Sequence, residues 1–175
     1  MDRDKIIYWA GFFDGEGHIE ISYQNPTYAN PYGRYSFEVF ITQVAKNPNN
    51  FFADLLEIGG GVNKNNKSNP NWDPNNYHWR VSGERARSFL EVILPYLRGK
   101  KRAAELAIEL SQRLSNFRLS RISRDEIIEE TRKRDAILRQ FYDLPKRYKS
   151  KRRHSYGSNY LEVRLSRLRA KTVER

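Results

Sequence analysis

The chain has 175 residues, enough for one domain with an apolar core, and its 32 Lys and Arg outnumber 21 Asp and Glu for a formal net charge of +11. The absence of Cys excludes disulfides and thiolate metal ligands, and no stretch approaches the roughly 18 apolar residues of a membrane span. The excess charge points to a polyanionic partner. The charged start Asp2-Arg3-Asp4-Lys5 has no apolar signal segment behind it, so an intracellular protein is expected, in a prokaryotic cytoplasm or an organelle.

Residues 1–60 carry four basic and eight acidic side chains, so the remainder must supply a net +15. The acidic first third needs an explanation of its own. Within it, residues 4–13 have apolar side chains on all sides (Ile6, Ile7, Tyr8, Trp9, Phe12, Phe13), as a helix buried on more than one side would. The small Ala10 and Gly11 suit close approach of a second backbone, and Gly15 and Gly17 should stop the helix.

Strict alternation follows. Ile19, Ile21 and Tyr23 point one way and Glu20, Ser22 and Gln24 the other; in a second strand over 35–43, Tyr35, Phe37, Val39 and Ile41 oppose Arg34, Ser36, Glu38 and Phe40. A helix over 49–58 is ended by Gly59-Gly60-Gly61. Strands over 62–67 and 76–82 come next, the latter setting Tyr77, Trp79 and Val81 against Asn76, His78, Arg80 and Ser82. Helical patterns cover 84–96, 100–115 and 124–142, then a basic run over 146–153 and a final amphipathic helix over 160–170. There is no internal repeat.

This reads as an α+β, αββαββα domain over residues 1–145, with a four-stranded antiparallel sheet that is polar on one face. Residues 146–175 form a basic loop and helix that extend it.

The segment Trp9-Ala10-Gly11-Phe12-Phe13-Asp14-Gly15-Glu16-Gly17 sets two carboxylates at a helix C-terminus, where the macrodipole already concentrates negative charge. The plain alternative is a helix ending in two exposed acids. A bound divalent cation would reverse the electrostatics, and carboxylate, carbonyl and water oxygens suit Mg²⁺.

The wording of these nine residues resembles the LAGLIDADG motif, with Trp for the first Leu, Phe-Phe for Leu-Ile, Gly for the second Ala and Glu for the final acid. The succession of a motif helix, four strands and a helical second half resembles the single-motif branch of the LAGLIDADG homing endonucleases over about residues 4–145.

That resemblance implies an intron-encoded, site-specific endonuclease that binds DNA as a homodimer and hydrolyses both strands with Mg²⁺, or Mn²⁺ in its place. Glu16 would be the metal-binding acid, the Gly15 carbonyl its companion ligand, and Asp14 the second motif acid, which in that family is more often a structural residue of the helix end than a direct ligand. Gln43 would order active-site water, and Lys100 would lie near the scissile phosphate, with Lys101 or Arg102 replacing it if the register slips. Motif helices packed through Trp9, Ala10, Gly11 and Phe13 would join two copies. A basic residue expected four positions after Gln43 is missing, since Asn47 stands there with Lys46 beside it. No general base is evident.

A four-stranded saddle with one polar face can lie in the major groove, where base edges carry a full donor and acceptor code. The expected contacts are Glu20, Ser22, Gln24, Arg34, Ser36, Glu38, Asn63, Asn65, Lys67, Asn76, His78 and Arg80. Glu20 and Glu38 would accept from cytosine, giving discrimination at some loss of affinity and accounting for the acidic first third. Lys146, Arg147, Lys149, Lys151, Arg152 and Arg153 would grip phosphates. A symmetric dimer implies a pseudo-palindromic site of roughly 20 base pairs.

Rival readings are an intron RNA maturase and a non-catalytic DNA-binding protein of the same fold. A glycosidase-like acid pair fits poorly in so basic a chain, and His78 has no partner His at ligand spacing.

Overall fold

A computed structural model describes residues 1–24, 34–64, 73–116 and 123–145. The elements in chain order are α1 (Arg3–Glu16), β1 (Gly17–Gln24), β2 (Arg34–Val44), α2 (Pro48–Phe51), α3 (Ala53–Ile58), β3 (Gly61–Lys64), β4 (Asn76–Ser82), α4 (Gly83–Ile93), a 3₁₀ turn at Leu94–Tyr96, α5 (Lys101–Asn116) and α6 (Arg124–Asp143). The expected α+β order is present. The basic run and the helix expected over 160–170 lie outside the described residues, as do Asn65 and Lys67.

The strands form one antiparallel sheet in the order β1-β2-β4-β3. Alternation decides its faces as the sequence predicts: Ile19, Ile21, Tyr35, Phe37, Val39, Ile41, Trp79 and Val81 are buried. On that inner side they join residues of the helices in one core, including Trp9 and Phe13 of α1, Phe89 and Leu90 of α4, and Phe141 of α6. The Phe89 ring meets both Phe13 and Trp79 edge to face, tying α1, α4 and β4 together. Helix α6 is fastened to the sheet by polar contacts too. Tyr35 Oη donates to the buried Asp135 at 2.5 Å, and Tyr142 Oη to the Ile21 carbonyl at 2.9 Å.

Several sequence expectations need correction. Of the two glycines expected to stop helix α1, Gly17 does so, while the helix runs through Gly15 to Glu16, so both motif acids belong to its last turn. Gly17 ends it in extended conformation, and a Cβ there would collide with the Phe13 ring, so glycine is required by close packing rather than by φ. The single helix expected over 49–58 is two short pieces broken at Phe52, whose ring is fully buried beside Trp9 and Phe51. Anchoring that ring wins over helical continuity. Pro95 likewise ends α4 early, leaving a 3₁₀ turn where one helix to residue 96 was expected.

A further correction concerns the exposed side of α1. Trp9, Ala10 and Phe13 are buried in the chain's own core, and of the four residues expected at a dimer contact only Gly11 is exposed. The uncovered stripe is instead Asp4, Ile7, Tyr8, Gly11 and Gly15, with Ile7 43 % and Tyr8 54 % exposed. These positions recur at helical spacing on one side. A Cβ added at Gly11 or Gly15 would meet nothing within 4 Å.

Candidate functional site

The C-terminus of α1 meets the N-terminus of α5, and the two ends bind each other. The Asp14 carboxylate accepts from the backbone N–H groups of Arg98 (2.7 Å), Gly99 (3.2 Å) and Lys100 (2.8 Å), the turn that leads into the positive end of α5. In return the Lys100 ammonium donates to the Asp14 carbonyl and lies 3.4 Å from the Gly15 carbonyl, the orphan acceptors at the end of α1. Opposite helix-dipole ends thus meet through side chains of matching sign.

Lys100 is 3 % exposed. Burial pushes its pKa down, while the Asp14 and Glu16 carboxylates oppose that by favouring the charged form.

Glu16 is two residues from Asp14 and in a different situation. It is exposed, and among the described residues it accepts no hydrogen bond and forms no ion pair. Gln43 belongs to the same end of the sheet: Gly17 pairs with Ile41, so Gln43 lies two residues further along β2, level with the end of α1. Its Oε1 accepts from the next backbone N–H, Val44, at 3.0 Å. The structure therefore gathers Asp14, Gly15, Glu16 and Lys100 in one place, with Gln43 at the same edge. Asp14 is committed to holding α5, and Glu16 is the acid left over.

The donor set at this edge fits a hard divalent cation. Glu16 supplies an uncommitted carboxylate and the last turn of α1 supplies carbonyl oxygens, a small set of the kind Mg²⁺ accepts when water completes its shell. Among the described residues no three His, Asp or Glu side chains cluster into a metal cage.

The outer face of the sheet begins at this same edge. The register orders it in cross-strand rows: Thr42-His78-Asn63, then His18-Phe40-Arg80, then Glu20-Glu38-Ser82, Ser22-Ser36 and Gln24-Arg34. Several of these groups hold one another. Ser22 and Ser36 share a hydrogen bond at 2.5 Å, and Glu38 pairs with Arg80 at 3.5 Å. Every outward residue expected from alternation that lies within the described residues is on this face.

His18, Phe40 and Thr42 also stand on this face, as the same period of two assigns them, though they were not among the expected contacts. His18 stacks on Phe40 at 4.9 Å. Burial holds its pKa below the usual histidine value, aided by the Lys100 charge and opposed by Glu16.

No family model and no curated protein matches the chain. Solved structures do share its fold. The homing endonuclease I-CvuI, in complex with the I-CreI target in the presence of Mg, is 20 % identical over 95 % of each chain, with a TM-score of 0.66. The archaeal intron-encoded homing endonuclease I-Vdi141I, complexed with DNA, is 20 % identical over 97 % of this chain and 98 % of its own, at 0.67. The I-SmaMI LAGLIDADG homing endonuclease bound to cleaved DNA is 14 % identical and aligns with 81 % of this chain but only 44 % of its own length, at 0.58. The chain therefore has the LAGLIDADG homing endonuclease fold.

Proposed function

We propose that the chain is a site-specific, metal-dependent endonuclease that binds duplex DNA through the outer face of its sheet and cuts both strands as a homodimer. The observation that carries this reading is the division of labour at the end of α1, where Asp14 and Lys100 lock the helix in place and Glu16 is left exposed and uncommitted. Shared fold with DNA-bound endonucleases supports it.

In the dimer, the exposed stripe of Ile7, Tyr8, Gly11 and Gly15 would meet its counterpart, the two glycines admitting close helix contact. Each copy would bring its Glu16 to the dyad, so that two carboxylates face the scissile phosphates. The I-SmaMI alignment agrees, because it leaves more than half of that longer chain, room for a second unit of this fold. Glu16 and the Gly15 carbonyl would hold Mg²⁺, with Mn²⁺ able to replace it; the bound ion supplies charge stabilisation at attacking and leaving phosphate oxygens. Asp14 acts by holding the α5 turn, Gln43 orients water, and Lys100 fixes the carbonyls of the last turn beside the phosphate. In the described residues the outer-face contacts are Glu20, Ser22, Gln24, Arg34, Ser36, Glu38, Asn63, Asn76, His78 and Arg80, and residues 146–153 add phosphate grip.

The test is cleavage of a partly randomised duplex library with Mg²⁺ by wild type and Glu16→Gln, with cut ends sequenced. Wild type should yield a palindrome-like consensus, and Glu16→Gln should cut about 10³-fold more slowly or worse while still binding. Equal cutting by both proteins would remove Glu16 from the chemistry. A consensus that both bind and neither cuts would make the chain a binding module, and preference for folded intron RNA over duplex would favour the maturase reading.

A further inference from the structure

The outer face has one row that cannot read DNA by hydrogen bonding alone. Phe40 is half-buried in the middle of β2 among Ser36, Glu38 and Thr42, with His18 stacked against it on the β1 side at 4.9 Å and an 18° interplanar angle. On the β4 side the Arg80 guanidinium lies 5.8 Å from the ring centroid and is held from the next row by Glu38. The row ends at Gly61 on β3, which puts no side chain beside Arg80; a Cβ there would meet only Asn63, at 3.8 Å. The flanks of the Phe40 ring are thus occupied, and its rim is what remains for a partner.

A phenyl rim pressed against the major-groove edge of a purine or cytosine would strip water from base donors and acceptors without replacing it, which is costly. The one apolar group that the groove presents is the C5-methyl of thymine. Arginine is suited to O6 and N7 of guanine, and cross-strand neighbours about 5 Å apart reach adjacent base pairs.

We infer that the His18-Phe40-Arg80 row is a composite reader for a thymine next to a guanine, with Phe40 packed on the thymine methyl, His18 bracing the ring, and Arg80 on the guanine. This rests on the proposed reading of duplex DNA by the outer face.

The experiment takes the duplex consensus of the wild-type chain and replaces each of its thymines in turn with deoxyuridine, which lacks only the methyl group. One position per half-site should weaken wild-type binding about fourfold, the worth of a buried methyl, and that position should be silent in Phe40→Ala. In a second variant, Phe40→Gln, selection should change that thymine to adenine, which glutamine reads through N6 and N7. The Gln variant also serves if Phe40→Ala does not fold. A consensus with no methyl-sensitive position, or with one that persists in Phe40→Ala, overturns the row as a reader and leaves duplex recognition standing. Failure to obtain any duplex consensus would overturn both together.

Discussion

The two faces of the sheet are made of the same strands, residue by residue, and differ in almost everything else. The inner face spends its side chains on one another: Trp79 is fully buried, packs edge to face on Phe89 and donates from Nε1 to the Gly59 carbonyl at 2.9 Å. Outer-face residues hold one another through more exposed contacts, such as the half-exposed Arg80 with Glu38. The buried contacts that hold the fold therefore lie on one side of the sheet and the proposed recognition on the other, so substitutions on each side should have separable readouts.

The largest effect should come from the inner face. Trp79→Ala removes a buried indole from the centre of the core and should cost about 3–5 kcal/mol in urea unfolding. A loss under about 1 kcal/mol would break the comparison. Next is the edge where the faces meet: Asp14→Ala leaves three backbone donors without their carboxylate and should cost about 1.5–3 kcal/mol by the same measurement.

On the outer face, Glu38→Gln should leave stability within about 0.5 kcal/mol, since exposed ion pairs contribute little. It should tighten non-specific duplex binding, because Arg80 is released and a repelling charge is gone, and steepen the log–log salt slope by up to about one unit. Ser36→Ala should be the mildest, changing stability by less than about 0.5 kcal/mol and affecting only selection at the base pairs its row faces. A large thermal shift in either outer-face variant would show that this face also carries the fold. Off the sheet, Gly11→Arg fills open space on the exposed side of α1 and should give a monomer in sedimentation, with cleavage lost and circular dichroism retained.

Much of this organisation is local and therefore legible in the chain. A period of two puts each strand residue on a fixed face, so the inner core and the outer face with Glu20, Ser22, Ser36, Glu38 and Arg80 follow from sequence. The Gly59-Gly60-Gly61 turn is equally local, since Gly59 and Gly60 adopt the positive φ that favours glycine. The nine residues around Asp14 and Glu16 likewise announce an acidic helix end.

Other features depend on what packs where. The motif resemblance sets Asp14 apart as the structural acid, but local sequence cannot say that its partner is a turn 84 residues away, because both acids have the same local surroundings. The all-round apolar pattern of α1 shows that two sides want cover, but only packing decides that Trp9, Ala10 and Phe13 face the core and that Tyr8 and Gly11 do not. Nor does any short-range signal stack His18 on Phe40, since cross-strand neighbours are chosen by register. Periodicity sets the direction of a side chain along its own element; its partners are set by the docking of elements distant in the chain, and at the end of α1 that docking separates the structural acid from the uncommitted one.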